Sequence, residues 1–290
     1  ALLPNLVPAR HLINAVSMNQ ITYQGTRLAG PALVAPVLVQ MGAGAVFYIC
    51  AAFYAIGLYY VLRIRTDSTG AMDQDRSLFH NFIAGLVYTY RHPLLFPLTI
   101  LVTIHCALTM SFEAMFPALS DVYSSSAATG VSLLMTAIGL GSSIAVILLA
   151  LSQGEKVNGI VIFVLGIGSG LSSMAVAISP GMVTGFVATA ALGATTVGFM
   201  TIITVVFQQA SPDALRGRIF SVFLFHAGGV MAFGNLANGI LTDLYGPAWA
   251  FFFTGLAFTV VMLLSLVAPS LRRLYTSGSA EVIPTAIRSG

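Results

Sequence analysis

The sequence has little charge and almost no cysteine, and each shortage excludes a class of protein. Only 7% of the 290 residues are charged, whereas an ordinary soluble domain carries about 25%, so the chain could not cover a surface in water. A single lysine and scattered arginines exclude a nucleic-acid-binding surface. The two cysteines, Cys50 and Cys106, lie in separate apolar runs and offer neither a disulfide framework nor a metal site. A soluble enzyme and a secreted disulfide-rich scaffold are thereby excluded.

Apolar residues are abundant instead: they make up 57% of the chain, and the mean hydropathy is +0.93. A helical run of about 20 apolar residues is long enough to cross the ~30 Å hydrocarbon core of a bilayer. Helices are expected because a segment in lipid must satisfy its own backbone hydrogen bonds, and the runs do not alternate as barrel strands do. The sequence therefore predicts an all-α polytopic membrane protein with eight spans, at 12–40, 44–62, 94–118, 128–151, 158–178, 183–207, 219–243 and 248–268.

Basic residues set the expected orientation, because cytoplasmic loops of membrane proteins are enriched in Lys and Arg. With both termini of this chain in the cytoplasm, Lys156 and every arginine outside the spans lie on the cytoplasmic face. The opposite loops, near Gly42, Ser124, Pro180 and Gly246, contain no basic residue. We therefore expect a multi-pass plasma-membrane protein with both termini of this chain cytoplasmic.

The longest polar segment joins the second and third spans. Its first part is charged, whereas residues 77–92 carry apolar side chains at helical spacing, namely Phe79, Phe82, Ile83, Leu86 and Tyr90. This spacing predicts an amphipathic helix that either lies in the cytoplasmic interface of the membrane or packs against the cytoplasmic ends of the spans. Residues 66–92 are accordingly expected to be a cytoplasmic linker between two groups of spans.

An internal repeat relates the two groups of spans. A shift of 204 residues aligns a proline and three pairs of small residues, each at or inside a span. The aligned pairs are Pro8 with Pro212, Gly25 with Gly229, Gly30 with Gly234 and Ala35 with Gly239. Six spans separate the copies, so the pattern indicates a parallel duplication of a six-helix unit. We expect 1–65 to hold the last two helices of one unit, 93–268 to form a complete second unit and 269–290 to be a cytoplasmic tail, with four further helices before Ala1.

Three stretches resemble the major facilitator superfamily, and within it the exporter branch that contains macrolide-efflux proteins and the enterobactin exporter. Residues 2–19 resemble the loop into that family's fifth helix, and residues 208–223 resemble the loop between helices ten and eleven. Residues 25–36 are similar to the antiporter motif of helix five, which Gly25, Gly30 and Pro31 match. The resemblance covers almost the whole chain and places it at helices five to twelve of a twelve-helix bundle.

The resemblance implies a secondary active transporter of the bacterial inner membrane that works by alternating access. Its substrates would be amphiphilic small molecules such as drugs or siderophores, exported in exchange for a proton or another coupling ion. The sequence carries no ATP-binding loop, and the complete protein is expected to be monomeric in the lipid bilayer. The resemblance also implies a cytoplasmic gate, formed by Pro212, Asp213, Arg216, Gly217 and Arg218. Residues 211–213 also favour a helix start with Ser211 as the N-cap.

Polar residues inside the spans are candidates for the substrate and proton pathway, because charges within a membrane are costly and default to function. Arg27, the one basic residue within a predicted span, either binds an anionic group in a cavity or bonds statically to a neighbouring helix. Glu113 either exchanges protons or lies in a water-filled outer vestibule. His105, eight residues earlier and on about the same helix face, either relays protons or packs. Asn235 is expected to face the central cavity.

Two other functions stay open at this point. The glycine-rich run 166–170 contains Ser169 and is similar to the Gly-x-Ser-Gly of intramembrane serine proteases, with His226 as the candidate base. The same glycines are otherwise small residues for close helix packing. A non-transporting membrane scaffold or sensor is the third alternative. As a transporter the chain is not expected to be an enzyme or to need a cofactor or a metal.

Overall fold

A computed structural model describes residues 12–63, 78–123, 127–151, 159–212 and 215–278 of the chain. These ranges contain helices joined by short turns and no strand. The helices are α1 (Leu12–Leu62), α2 (Leu78–Arg91), α3 (Leu95–Leu108), α4 (Phe116–Tyr123), α5 (Ala127–Leu151), α6 (Gly159–Ala177), α7 (Met182–Ala210), α8 (Arg216–Tyr245), α9 (Pro247–Leu264) and α10 (Pro269–Ser277). Two 3₁₀ turns, Glu113–Met115 and Ser265–Val267, precede α4 and follow α9.

Seven segments within the described residues are long and apolar enough to cross a membrane as helices. They are Gln40–Leu62, Leu95–Tyr123, Thr129–Leu149, Gly159–Ala177, Met182–Ala210, Arg216–Tyr245 and Pro247–Val267. The predicted all-α polytopic class is confirmed, and the seven segments coincide with the second to the eighth predicted span. The first predicted span, 12–40, lies in the helical backbone of α1.

A single glycine interrupts α1. Gly42 has φ 77° and ψ 174°, which lies outside the helical region and in a range that side chains rarely adopt. A Cβ atom there would meet nothing within 4 Å, so the backbone angle rather than crowding makes glycine suitable. The loop predicted near Gly42 is therefore a break of one residue. Residues 47–62, which follow it, are all exposed on the surface of the chain.

Two clusters of buried side chains form the core of the second predicted unit. The larger joins α3, α6, α7, α8 and α9 and includes Phe199, Phe207 and Phe258, each at most 1% exposed. The smaller cluster surrounds Phe116 and Phe251, beside the C-terminal half of the span Leu95–Tyr123. Because lipid tails are as apolar as these side chains, the clusters stabilise the bundle through close packing rather than through removal from water.

Glycines allow two pairs of helices to approach each other backbone to backbone. Gly141 of α5 lies against the backbone of Ala190 in α7, and Gly193 of α7 lies against the backbone of Ile138 in α5. Gly170 of α6 and Gly255 of α9 face each other in the same way. A Cβ atom at any of these positions would overlap the partner backbone. The packing role predicted for the glycine-rich run 166–170 is thereby confirmed at Gly170.

The linker helix α2 packs against the beginning of α8. Gly85 lies against the backbone of Arg218, and the rings of Phe82 and Phe225 are 5.5 Å apart. The other face of α2 exposes the apolar side chains of Ile83 and Val87. Helix α2 therefore packs on α8, and its outward face is apolar enough to lie in the membrane interface. Residues 66–77 of the predicted linker lie outside the described residues.

The predicted cytoplasmic tail begins with a helix that belongs to the bundle. In α10, Leu271, Leu274 and Tyr275 are buried, whereas Arg272 and Arg273 are exposed. The hydroxyl groups of Tyr275 and Ser265 are 3.0 Å apart, and burial raises the pKa of Tyr275 to about 12 against the opposing effect of that bond. The tail helix is therefore anchored by its apolar face, with its arginines directed outward. Residues 279–290 lie outside the described residues.

Candidate functional site

The span Leu95–Tyr123 is broken near its middle. Helix α3 ends at Leu108, and the backbone N–H groups of Thr109 and Met110 both donate to the carbonyl of His105, at 2.9 and 3.1 Å. Helical structure resumes only with the 3₁₀ turn at Glu113 and continues into α4. A broken helix inside a membrane exposes backbone groups that must find partners in neighbouring segments.

Helix α8 supplies partners for the carbonyl side of this break. The side-chain amide Nδ2 of Asn238 donates to the carbonyl of Ser111 at 2.9 Å and lies 3.4 and 3.5 Å from the carbonyls of Ala107 and Leu108. Gly234 permits the close approach, since a Cβ atom there would lie 2.7 Å from the carbonyl oxygen of Ala107. The two helix ends of the break are thus joined through α8.

Ser111 is a second tie between the broken span and α8. Its Oγ lies 2.6 Å from the carbonyl of Cys106 and 3.1 Å from the carbonyl of Met231, so one hydroxyl proton is placed between two acceptors. Cys106 belongs to α3, and Met231 belongs to α8. This contact holds the non-helical residues against α8 from within the break itself.

Two polar side chains from the sequence-predicted site lie on the α4 side of the break. Glu113 begins the 3₁₀ turn and is exposed, and the half-buried Asn235 accepts a bond from the backbone N–H of Ala114 at 3.4 Å. Glu113 precedes the end of the span at Tyr123 by ten residues, which is about 15 Å along a helix. A carboxylate at that depth is too costly to face lipid. An exposed carboxylate at this depth is expected to face water or protein rather than lipid.

His105 is separated from Glu113 by the break. Its ring is 0% exposed, lies 4.6 and 4.8 Å from the rings of Phe199 and Phe258, and places Nε2 3.2 Å from Oγ of Ser169. The eight-residue spacing would align His105 with Glu113 only on a continuous helix. In the broken span one side chain enters the core and the other is exposed. The structure therefore does not bring these two predicted residues together.

The pair of Ser169 and His226 that a serine hydrolase requires is not formed. The hydroxyl of Tyr90 is hydrogen-bonded to Nε2 of His226 at 2.9 Å, and Nδ1 of His226 donates to the carbonyl of Val222 at 2.8 Å. Ser169 lies instead beside His105 and is 0% exposed. The predicted pairing is wrong because the two residues take different partners, and the buried serine is out of reach of a substrate.

The antiporter-like motif and Arg27 lie within α1. For Gly25, Arg27 and Pro31 the structure describes the helical backbone alone. Gly30 is half-buried, and a Cβ atom at this position would meet nothing within 4 Å. The part of the chain that the structure describes thus leaves open space beside the motif at Gly30.

The predicted cytoplasmic gate lies at the junction of α7 and α8. Ser211 is the C-cap of α7, and its hydroxyl donates to the carbonyl of Phe207 at 2.6 Å. Helix α8 begins at Arg216 with Leu215 at the N-cap. The prediction that Ser211 caps α8 is therefore wrong, because its hydroxyl is used by the preceding helix. The other gate residues are distributed as follows: Pro212 and Arg218 are half-buried, Arg216 and Gly217 are exposed, and Asp213 lies outside the described residues.

Sequence reasoning missed Asn238 and Ser111 as parts of the break and missed the bond between Tyr90 and His226. The sequence did contain a signal for the break: Thr109, Ser111 and Glu113 form a short polar stretch in an otherwise apolar span. No comparable signal identifies a partner on another helix, because helical periodicity gives the face of a residue but not its neighbour.

Seven apolar spans within the described residues, one of them broken near its middle, define a polytopic membrane protein. The family model for transmembrane secretion effectors matches residues 1–286. The chain therefore belongs to the transmembrane secretion effector family, within the major facilitator superfamily. No curated protein and no solved structure matches the chain.

Proposed function

We propose that the protein is a secondary active transporter that exports amphiphilic small molecules in exchange for protons, by alternating access. The transport class follows from the family, and the energy source is an ion gradient because the sequence has no ATP-binding loop. Broken helices near the middle of the membrane recur at the binding sites of secondary transporters. The break in Leu95–Tyr123 supports the same location here.

The observation that carries the proposal is the position of Glu113 at the first turn of the outer half-helix. It is the one acidic residue among those described that lies well inside a span, since Asp121 and Asp243 are near the outer ends of theirs. Glu113 therefore loads a proton from the outside and releases it inside as the transporter cycles.

The other pathway residues receive roles that fit their positions. Asn235 lies at the same level as Glu113 and contacts the substrate or orders water near the carboxylate. Arg27 supplies a positive charge in the opposing helices for an anionic group of the substrate or for Glu113 itself. His105, which is enclosed by aromatic rings, packs rather than relays. The residues at the start of α8 close the cytoplasmic side.

The apolar exterior fits a monomer surrounded by lipid in the bacterial inner membrane. Apart from Arg27 inside α1, the described arginines lie at or near helix ends, among them Arg63, Arg91, Arg216 and Arg272. Their position supports a cytoplasmic location for both termini of the chain. Exposed arginines on α10 follow the same pattern. We expect the substrate-binding cavity to lie between the two groups of spans and to open alternately to either side.

The test replaces Glu113 by glutamine in vesicles that contain the protein. Glutamine keeps the shape of the side chain but cannot exchange a proton. Glu113→Gln should abolish uphill efflux of ethidium or of a radiolabelled macrolide driven by an imposed pH gradient, and should leave downhill exchange of the same probe largely intact. Asp121→Asn is the matched control, because it removes an exposed carboxylate at the end of the same span.

Uphill efflux at the wild-type rate in Glu113→Gln would show that the coupling carboxylate lies elsewhere. Equal loss in Glu113→Gln and Asp121→Asn would point to a general effect of charge on this span. Proton release on addition of the probe, absent in Glu113→Gln and present in the control, would support the exchange directly.

A further inference from the structure

We propose that Asn238 is a positioning residue that keeps the span Leu95–Tyr123 broken and thereby holds Glu113 in its coupling position. The inference rests on the proposed function, in which Glu113 carries the proton. The side-chain amide of Asn238 bonds to the backbone carbonyls of Ala107, Leu108 and Ser111. It acts through the backbone on which Glu113 is mounted.

The first argument concerns the carbonyl groups that the break leaves at the end of α3. In a continuous helix the carbonyls of Ala107 and Leu108 would accept from the N–H groups four residues later. Here the chain departs from the helix, and the Asn238 amide faces both carbonyls together with that of Ser111. A carbonyl group without a donor is strongly destabilising inside a membrane, so a donor is required at this place.

The second argument is that α8 contacts the break with one face. Met231, Gly234 and Asn238 follow each other at spacings of three and four residues, which places them on one side of the helix. All three contact residues 106–111, through the carbonyl of Met231, the bare Cα of Gly234 and the amide of Asn238. Asn235, which follows Gly234 in the sequence, accepts a hydrogen bond from the backbone N–H of Ala114. Helix α8 thus binds both ends of the break.

The third argument separates Asn238 from ordinary polar packing. Most buried hydroxyl groups in this bundle bond back to their own helix, as Thr242 does when its Oγ1 donates to the carbonyl of Asn238 at 2.7 Å. The Asn238 side chain is only 2% exposed and instead donates to the non-helical part of a different span, at the carbonyl of Ser111. An amide has two N–H donors, which suits a group of carbonyl acceptors, whereas leucine of similar size has none.

The transport test compares three variants of the full chain. Asn238→Leu removes the donors, Asn238→Gln retains the amide, and Thr242→Val removes a buried hydroxyl one turn further along the same face. Asn238→Leu should lower proton-driven ethidium efflux about tenfold, the effect of one orphaned buried hydrogen-bonding group, and should shift the pH of half-maximal efflux. Asn238→Gln should restore the wild-type pH profile, and Thr242→Val should keep it. A merely structural defect would lower the maximum and leave that pH unchanged.

The second measurement does not depend on transport. Glu113→Cys is placed in a chain without Cys50 and Cys106, and its labelling rate by a membrane-impermeant maleimide is compared with and without Asn238→Leu. A changed rate supports positioning of residue 113 by Asn238, even if Glu113→Gln leaves efflux intact and the proposed function fails. An unchanged labelling rate together with an unchanged pH profile overturns the inference, even if Glu113 proves essential.

Discussion

Replacing Gly85 by alanine tests how the linker helix α2 is attached to the bundle. A Cβ atom at Gly85 would lie 2.6 Å from the carbonyl oxygen of Arg218 and 2.8 Å from its carbonyl carbon. Both atoms belong to the backbone of α8, so no side-chain rotation relieves the overlap. Since a close carbon–oxygen contact is normally about 3.4 Å, the two helices must separate by about 0.8 Å.

The consequence reaches the other contacts of the same interface. The hydroxyl of Tyr90 and Nε2 of His226 are 2.9 Å apart, and a displacement of that size along their direction exceeds the range of a hydrogen bond. Overpacking of this kind costs about 1–3 kcal/mol. Alanine itself returns about 1 kcal/mol as a better helix former than glycine. The expected result is a net loss of stability with a loosened α2.

Gly228→Ala is the matched control for this prediction. Gly228 is an exposed glycine inside α8, and a Cβ atom there would meet nothing within 4 Å. It receives the helix-propensity gain without the overlap, so Gly85→Ala should be less stable than Gly228→Ala by about 1–3 kcal/mol. Thermal unfolding of both variants in detergent micelles measures the difference. Equal stability, or a more stable Gly85→Ala, would mean that α2 does not rest on the backbone of α8.

Two further predictions concern the start of α3 and the orientation of the chain. His92 accepts two backbone N–H groups at the start of α3 on Nδ1, at 3.2 Å each, and burial lowers the pKa of His92 below its ordinary 6.5. Because the pKa of His92 is lower in the folded state than in the unfolded state, its contribution to stability is present above pH 6.5 and is lost as the pH falls further. Asparagine is a helix cap that does not titrate. His92→Asn should therefore reduce the dependence of stability on pH, measured by unfolding between pH 7.5 and 5. In a chain without native cysteine, an impermeant maleimide added outside should label Pro180→Cys, whereas Ser277→Cys should react only after permeabilisation. The reverse labelling pattern would invert the orientation that the arginines predict.

The spans were predictable because a single physical requirement decides them. A segment in lipid must be apolar and must satisfy its own backbone, so length and composition alone identify seven of the eight spans. The same reasoning located the turn at Gly42, where glycine follows an apolar run. The attachment of α2 was predicted only as one of two alternatives, because the decisive residue, Gly85, acts through the absence of a side chain.

The interior of the site was less predictable because it depends on contacts between distant residues. Periodicity treated residues 94–118 as one continuous helix, and on such a helix His105 and Glu113 share a face. The break cancels that relation, and its partner lies on a distant helix, where the amide of Asn238 donates to the carbonyl of Ser111. Ser169 and His226 failed as a pair for the same reason, since each found a nearer partner that the sequence does not reveal. The roles of Glu113, Arg27 and Asn235 stay predictions.

The break in the span Leu95–Tyr123 also has a consequence for how the protein is made. The carbonyl of Ser111 receives its donor from Asn238, which is 127 residues further along the chain. At 5–20 residues per second, a ribosome needs about 6–25 s to add that length. During this interval the span enters the membrane without its partner, either as an unbroken helix or beside the water of the insertion machinery. We therefore expect the break to gain its contacts with α8 late in biogenesis, after every preceding span has been made.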